Sequence, residues 1–171
     1  QKLLDEITPL YDKDGRYYLQ DDGVRSDSTV EKLATIKPFF DRHYGLVTAA
    51  NSSQITDGAA LLILASADAI KKYQLPVLGR LVDFQWAGLE PEQMGLGPAH
   101  AIAGLLQRQG LALNDIDYYE INEAFAGQVL GCLAAWEDEA YCRAELKSDK
   151  PLGKLELSKL NIDGGAIALG H

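Results

Sequence analysis

The feature that most constrains the fold is a continuous apolar run from Ala59 to Ala65, followed at once by the signals of a helix. An uninterrupted apolar run of this length is typical of a strand buried on both faces of a parallel sheet. Ser66 can cap the next helix, Asp68 suits its first turn, and Pro76 prevents its continuation. The pattern therefore predicts a central strand followed by a helix.

The alternation of predicted strands and helices continues along the chain. Val77 to Phe84 and Ile116 to Ile121 are predicted strands. Helices are predicted from Pro98 to Gly110 and from Phe125 to Trp136, and a short amphipathic helix is expected between Thr29 and Phe40. Strands that alternate with helices imply an α/β fold with a parallel or mixed sheet.

Composition excludes several classes of function. The chain is 47% hydrophobic, which is enough for a substantial core, and its net charge of -9 lacks the basic surplus that nucleic-acid binding requires. No apolar run approaches the roughly 18 to 20 residues of a membrane span. Cys132 and Cys142 lie in a helical pattern that suits neither a disulfide framework nor a zinc site. We therefore expect no nucleic acid, no membrane span and no metal, and a reducing, cytoplasmic location.

Two segments carry side chains that suit catalysis. Asn122 to Phe125 lies where a predicted strand passes into a helix, at the carboxyl edge of an α/β sheet and beside helix N–H donors. The alternative is that Asn122 only caps the helix. His171 follows a glycine-rich run from Gly164, and glycine allows close backbone approach to a ligand. The alternative for His171 is a turn histidine whose partners are backbone groups. Together, the two residues could polarise a carbonyl oxygen, Asn122 through a water, and His171 could activate a thiol.

Two further candidates are Arg25 and the polar turn from Asn51 to Gln54. Their alternatives are a surface charge and an ordinary loop. Arginine and the polar side chains of this turn are residue types that can bind a ligand carrying amides and phosphates. An apolar, glycine-spaced run at a chain end is unusual, because exposed termini are usually polar, so we expect the chain to be a fragment of a longer protein.

Several motifs occur together and in order along nearly the whole chain. They are Asp21-Asp22-Gly23-Val24-Arg25, Lys37-Pro38-Phe39-Phe40, Val47-Thr48-Ala49-Ala50-Asn51-Ser52-Ser53, Thr56-Asp57-Gly58-Ala59-Ala60, Gly95-Leu96-Gly97-Pro98, Asn122-Glu123-Ala124-Phe125-Ala126, and Asn161 to His171. In these motifs the chain resembles the thiolase family, whose members are enzymes that cleave or condense 3-ketoacyl-CoA.

The resemblance implies an α/β, thiolase-like fold, layered α/β/α/β/α, with two similar domains of which this chain covers parts of both. Residues 1–75 would be the C-terminal part of the N-terminal domain, including the end of its loop excursion. Residues 76–171 would be the first part of the C-terminal domain, as far as the catalytic histidine loop.

The resemblance also implies the roles of individual residues. His171 matches the histidine that activates the nucleophile and binds the thioester oxygen, and Asn122 matches the residue that holds the oxyanion-hole water. Ser53 would contact the pantetheine amides of coenzyme A, Arg25 its nucleotide end, and Phe125 the pantetheine or acyl tunnel. Phe125 also begins the apolar stripe of its helix, which is an alternative role.

Both catalytic cysteines of the family would lie outside this chain, one upstream of Gln1 and one downstream of His171. Cys132 and Cys142 match neither position, and their helical setting indicates buried, neutral thiols. Glu123 lies between Asn122 and Phe125, and no role can be derived for it. The 171 residues alone are expected to be inactive.

The activity that the resemblance implies is acyl transfer through a cysteine acyl-enzyme, by thiolysis of 3-ketoacyl-CoA or the reverse condensation, in a degradative-type member. No permanently bound cofactor is expected, and coenzyme A or acyl-CoA would be the substrate. The expected assembly is a homodimer or homotetramer, with a complex with other β-oxidation enzymes as a further possibility. The alternatives are a ketoacyl-synthase-like condensing enzyme and a non-catalytic, CoA-binding homologue.

Overall fold

The structure, a computed structural model, describes residues 5–21 and 23–170. Two short strands come first, β1 (Leu10–Tyr11) and β2 (Tyr17–Tyr18). The helices follow in the order α1 (Val30–Ala34), α2 (Ala67–Tyr73), α3 (Gly97–Gln109), α4 (Ala126–Glu137), α5 (Glu139–Ala144) and α6 (Ala166–Leu169). Short 3-10 helices span Pro91–Leu96, Leu113–Asp115 and Leu157–Lys159. The longest elements, α3 and α4, carry most of the core.

Strands β1 and β2 form an antiparallel hairpin in which Tyr11 lies opposite Tyr17. The turn between them is closed by Asp12, whose Oδ1 accepts hydrogen bonds from the N–H groups of Asp14 and Arg16, each at 2.9 Å. Such bonds from an aspartate side chain to the following backbone are a common way to stabilise a turn. Residues 12–15 include two aspartates and a glycine, residue types that favour such a turn.

The helix boundaries follow the predicted capping residues. The Ser66 hydroxyl accepts a hydrogen bond from Ala69 N–H at 3.2 Å, which satisfies a donor at the start of α2. Helix α3 has Pro98 in its first turn and ends at Gly110, whose φ of 67° is left-handed and therefore suits glycine. Helix α1 begins after its cap Thr29 as expected but ends at Ala34, before Pro38.

The core lies between α3, α4 and the segments that cover them. Trp136 is fully buried, its indole Nε1 donates to the Ala99 carbonyl at 3.1 Å, and its ring lies 6.3 Å from that of Tyr119. Ala99 and Leu106 of α3 are buried as well. The other buried apolar residues are Ala103, Leu113, Ile121, Val129, Cys132, Ala135, Cys142, Leu146, Leu155 and Ala166.

A polar cluster attaches the segment before α3 to that helix. Arg108 donates to Asp83 Oδ2 and to the Phe84 carbonyl, both at 2.8 Å. The hydrogen bond from the Arg108 guanidinium holds the pKa of the Asp83 carboxyl well below its ordinary value. Residues 83–85 therefore lie beside the last turns of α3.

The predicted strands are not paired into a sheet within residues 5–21 and 23–170. Residues 59–65 and 77–84 have neither helix nor strand structure, and their apolar side chains are exposed, with Leu61 and Leu62 each 85% accessible. In the segment 116–121 the pairing is a single parallel bridge between Tyr119 and Leu160. A strand requires hydrogen bonds to a neighbouring strand. Residues 59–65 and 77–84 have no such pairing among the described residues, and residues 116–121 have only the bridge to Leu160. The prediction of three sheet strands is therefore wrong for this structure.

Among the described residues, none of the helices is both long enough and apolar enough to cross a membrane.

We predict that Tyr119→Phe destabilises the protein by about 1 kcal/mol, because it removes the hydrogen bond that the buried Tyr119 hydroxyl donates to the Leu113 carbonyl at 2.8 Å. Urea denaturation provides the measurement. Tyr118→Phe is the matched control: the neighbouring ring is 64% exposed, and its variant should lie within roughly 0.5 kcal/mol of the wild type. Equal losses in the two variants would contradict the role of the hydrogen bond.

The same tyrosine predicts a loss of stability at alkaline pH. Burial, aided by the charge of Asp115, raises the pKa of Tyr119 from 10.0 to about 12. Between these two pH values the unfolded chain releases the phenol proton while the folded chain retains it, so the free energy of unfolding falls as pH rises. Below pH 10 the contribution of Tyr119 to the free energy of unfolding is fully present. The stability difference between wild type and Tyr119→Phe should therefore narrow from pH 10 to pH 12. A constant difference would exclude this linkage.

Candidate active site

Three segments that are distant in sequence meet at one place. We name them the polar turn (residues 46–56), the Asn-Glu turn (residues 121–126) and the glycine segment (residues 161–170). The first two contain residues that the sequence marks as candidates for chemistry, and the third leads in sequence to His171. The hydrogen bonds that join the three segments define the candidate site.

The polar turn and the Asn-Glu turn are joined by a short antiparallel bridge between Ser52 and Phe125. Ser53 N–H donates to the Ala124 carbonyl, and Ala126 N–H donates to the Asn51 carbonyl, each at 2.9 Å. These two bonds bring the polar turn against the start of α4.

The shape of the polar turn is set by Asn51. Its Oδ1 accepts from Thr48 N–H and its Nδ2 donates to the Leu46 carbonyl, both at 2.8 Å. An asparagine side chain can replace backbone partners in this way and so stabilise an irregular turn. The Asn51 side chain therefore holds the polar turn in this shape without a ligand.

The glycine segment is attached to the Asn-Glu turn by Asn161. Its Oδ1 accepts from Ile121 N–H at 2.8 Å and its Nδ2 donates to the Ile121 carbonyl at 2.9 Å. Asn161 N–H also donates to the Tyr119 carbonyl at 2.8 Å. With a φ of 46°, Asn161 has the left-handed conformation that asparagine tolerates better than most residues. Through these bonds the Asn161 side chain extends the pairing that begins at the Tyr119–Leu160 bridge as far as Ile121.

Glu123 lies between these two segments. Its Oε1 accepts from Asn161 Nδ2 at 2.9 Å, and its Oε2 accepts from Ile167 N–H at 3.3 Å. The sequence provides no role for Glu123 and does not single out Asn161. The available signals are that Asn161 begins the closing motif and lies two residues before the turn-forming residues Asp163, Gly164 and Gly165.

An open pocket of about 210 Å³ lies between the Asn-Glu turn and the glycine segment. Its lining consists of Glu120, Ile121, Asn122, Asn161, Gly164, Gly165, Ala166, Leu169 and Gly170. Three glycines and an alanine are among the lining residues, and their lack of bulk leaves room for a ligand to approach the main chain closely.

Asn122 lines this pocket and is exposed. The N-cap of α4 is Phe125, not Asn122, so the alternative in which Asn122 only caps the helix is wrong. Phe125 is 37% exposed at that cap, ahead of the buried stripe of α4. Asn122 is therefore available for a role in the site.

The candidates for coenzyme A binding are near the polar turn. Ser53 Oγ donates to the carbonyls of Gln54 and Ala166, at 3.2 and 3.3 Å, so Ser53 also contacts the glycine segment. Gln54 Nε2 donates to the Gly23 carbonyl at 2.9 Å, which attaches the exposed Arg25 segment to the same turn. His171 lies outside the described residues.

The two cysteines are remote from this chemistry. Cys132 and Cys142 are free and fully buried in the helical core, as expected. Burial raises the pKa of the Cys132 thiol, which favours its neutral form. Neither sulfur has the exposed, electropositive setting of a nucleophile.

Comparison with known families assigns the chain. The model of the thiolase C-terminal domain matches residues 75–171, and the model of the thiolase N-terminal domain matches residues 1–68. The chain belongs to the thiolase family.

The chain is similar to named thiolases over nearly its whole length. Peroxisomal 3-ketoacyl-CoA thiolase of Saccharomyces cerevisiae is 44% identical over 167 residues, which cover 98% of this chain and 36% of the relative. Peroxisomal 3-ketoacyl-CoA thiolase B of Rattus norvegicus is also 44% identical over 167 residues, which cover 96% of this chain and 35% of the relative. The chain thus spans little more than a third of these thiolases.

Solved thiolase structures give the same result. The dimeric peroxisomal thiolase of Saccharomyces cerevisiae matches with a TM-score of 0.81 and 44% identity, over 98% of this chain and 38% of that one. Human mitochondrial 3-ketoacyl-CoA thiolase in complex with CoA matches with a TM-score of 0.76 and 41% identity, over 98% and 38%. The expectation of a thiolase-like α/β fold is confirmed by these matches.

The expectation of a cytoplasmic location is wrong. The yeast and rat thiolases are named peroxisomal. The expectation depended on two cysteines outside any disulfide framework, and free cysteines do not distinguish one reducing compartment from another.

We predict that Gly170→Ala destabilises the protein more than Gly15→Ala does. Both glycines have positive φ values, 83° and 79°, so an alanine at either strains the backbone by about 1 kcal/mol or more. The backbone of Gly170, with ψ 175°, lies in a region that essentially only glycine adopts, where the strain is about 1 to 3 kcal/mol. A Cβ on Gly170 would also lie 2.6 Å from Thr56 Cγ2, whereas a Cβ on Gly15 would contact nothing. Overpacking of this kind costs roughly a further 1 to 3 kcal/mol. The melting temperatures of the two variants test the difference.

Thr56→Ser removes the Cγ2 methyl and should partly restore the melting temperature of Gly170→Ala. If the double variant melts no higher than Gly170→Ala alone, contact with Thr56 is not the reason that residue 170 is a glycine.

Proposed function

We propose that the protein is an acyltransferase of the thiolase type, which cleaves 3-ketoacyl-CoA to acyl-CoA and acetyl-CoA or runs the reverse Claisen condensation. Membership of the thiolase family supports this proposal, as do relatives named 3-ketoacyl-CoA thiolase. The observation that carries it is that hydrogen bonds join the polar turn, the Asn-Glu turn and the glycine segment, and that the last two line one pocket. The first two segments hold Ser53, Asn122 and Phe125, which the family resemblance marks, and the third leads in sequence to His171.

The proposed reaction begins with a cysteine thiolate from outside these 171 residues. The thiolate attacks the C3 carbonyl of 3-ketoacyl-CoA, the C2–C3 bond breaks, and the acyl group stays on sulfur while the released acetyl-CoA carbanion takes a proton. The thiol of a second coenzyme A then attacks the acyl-enzyme, which releases acyl-CoA and restores the thiolate. Each attack places negative charge on a carbonyl oxygen, which must be stabilised.

His171 and Asn122 are the proposed catalytic residues of this chain. His171 would take the proton from the nucleophilic thiol and donate a hydrogen bond to the thioester oxygen. Asn122 would hold a water in the oxyanion hole. The exposure of Asn122 on the pocket wall and its separation from the cap of α4 support this role.

Arg25, Ser53 and Phe125 are proposed to bind coenzyme A. Arg25 would pair with the phosphates of the nucleotide end, Ser53 would contact the pantetheine amides, and Phe125 would line the pantetheine or acyl tunnel. The attachment of the Arg25 segment to the polar turn through Gln54 and Gly23 supports a shared role. Human mitochondrial 3-ketoacyl-CoA thiolase has been solved in complex with CoA.

Further proposals concern the assembly and the compartment. A homo-oligomer is supported by the dimeric peroxisomal thiolase of yeast, which matches 98% of this chain. A peroxisomal location is supported by the names of the yeast and rat relatives.

We predict that His171→Ala in the full-length protein lowers kcat for thiolysis by about 10²- to 10⁴-fold, the usual contribution of a general base. Asn122→Ala should lower kcat by about 10²- to 10³-fold, the usual cost of a missing oxyanion-hole group. Acyl-enzyme formation can be followed by mass spectrometry of the labelled nucleophile. Full thiolysis by His171→Ala would refute the catalytic assignment.

The binding roles are tested in the same protein by titration with coenzyme A. Arg25→Ala and Ser53→Ala should each raise Kd, roughly tenfold or more for the charged contact of Arg25. Arg143→Ala, at an exposed arginine of α5, and Ser158→Ala, at an exposed serine, are the matched controls. A wild type that binds coenzyme A without forming an acyl-enzyme would favour a non-catalytic, CoA-binding homologue. A wild type that condenses acyl groups but does not perform thiolysis would favour a ketoacyl-synthase-like enzyme.

A further inference from the structure

We propose that Glu123 is a positioning residue whose carboxylate fixes the glycine segment, and therefore the approach to His171, relative to Asn122. This inference rests on the proposed function, because it concerns the geometry of the same site. It gives a role to a residue that belongs to a sequence motif but has no part in the proposed chemistry.

The first argument is the fork that the carboxylate forms. Oε1 accepts from Asn161 Nδ2 at 2.9 Å, at the start of the glycine segment, and Oε2 accepts from Ile167 N–H at 3.3 Å, near its end. Ile167 lies in the first turn of α6, whose early N–H groups have no partner within the helix. One side chain therefore connects both ends of the glycine segment to the Asn-Glu turn.

The second argument is independent of hydrogen bonds and comes from Gly165. A Cβ at this residue would overlap the carboxylate of Glu123. The backbone of Gly165 is ordinary and extended, with φ −132° and ψ 174°, so its conformation does not require glycine. Glycine at residue 165 therefore makes room for the carboxylate, and the two residues fit each other.

The third argument is the location of the fork beside Asn122, on the segment that leads in sequence to His171. Glu123 directly follows Asn122 in the chain. The glycine segment continues directly into His171. Asn161, which contacts one arm of the fork, also holds both backbone groups of Ile121, the residue before Asn122. A shift of the carboxylate would therefore change the separation of Asn122 and the end of the glycine segment.

The chemistry requires a carboxylate and not only a polar side chain of similar size. Both groups that contact it are N–H donors, and an ionised carboxylate can accept at both oxygens. A glutamine at this position would have to present its own NH₂ group to one of the two donors. Glu123→Gln thus removes one arm of the fork with almost no change in volume.

The main experiment compares Glu123→Gln with Glu156→Gln in the full-length protein. Glu156 is exposed, and its variant removes the same charge away from the site. We expect Glu123→Gln to lower kcat for thiolysis by about 10- to 100-fold, because small misplacements of reacting groups have effects of this size. The Kd for coenzyme A should stay within about twofold of the wild type, since none of the proposed binding residues is altered. Hydrogen exchange of the Ile167 amide should be faster only in Glu123→Gln.

A second experiment uses the fit between Glu123 and Gly165. Gly165→Ala should lower kcat because its Cβ displaces the carboxylate, whereas Gly127→Ala in α4, where a Cβ would contact nothing, should have no effect. Glu123→Asp shortens the side chain by one methylene and should also lower kcat. The double variant should be no slower than the slower single variant, because the shortened carboxylate no longer meets the new methyl group.

The outcomes separate this inference from the proposed function. Unchanged exchange of the Ile167 amide in Glu123→Gln, or a double variant whose losses multiply, would overturn the positioning role. Faster exchange with unchanged kcat would also overturn it, because the fork would then be only structural. If the wild type performs no thiolysis, the proposed function fails, and the exchange measurement still decides whether the carboxylate holds the glycine segment.

Discussion

The site depends on the two backbone hydrogen bonds between the polar turn and the Asn-Glu turn, from Ser53 N–H to Ala124 and from Ala126 N–H to Asn51. Each bond contributes only about 0.5 to 1.5 kcal/mol, which is small against the entropy of closing a long loop. The bridge persists because one side of it belongs to α4. The same helix begins at Ala126 and carries the fully buried Trp136 in its last turn. The core therefore holds the site in position through α4, and the polar turn is attached to a rigid element.

Helix boundaries could be predicted from the sequence because their signals are local. Ser66, Pro98 and Gly110 act within one turn of their own helix, and each has its expected role in the structure. Strands could not be predicted in the same way, because a strand exists only beside a partner. The apolar run from Ala59 to Ala65 has the composition of a central strand, yet no described segment pairs with it. This chain covers 36% of its yeast relative, so the layered fold of the family involves more chain than these residues.

In the candidate site, too, the local sequence indicates residue types, but it does not show which segments meet. The residue types of Asn122 and Ser53 indicate polar chemistry, and the structure brings their segments together. Local reasoning could not decide whether Asn122 caps α4, because the cap depends on where the chain turns after the bridge, at Phe125. The role of Glu123 could not be predicted from the sequence either, because both groups that contact its carboxylate lie in the glycine segment, which is distant in sequence.

The glycine segment owes its composition to two different constraints. Gly165 has an ordinary backbone, and the space beside it is occupied by the Glu123 carboxylate. Gly170 has a left-handed backbone, and the space beside it is occupied by Thr56 of the polar turn. The absence of side chains thus allows two other segments to approach the loop closely, and does not by itself make the loop flexible. Because each neighbouring segment contacts the loop at a different glycine, the residues that lead in sequence to His171 are fixed from two sides. The proposed role of His171 requires such a constraint, because a catalytic group must meet its substrate in one geometry.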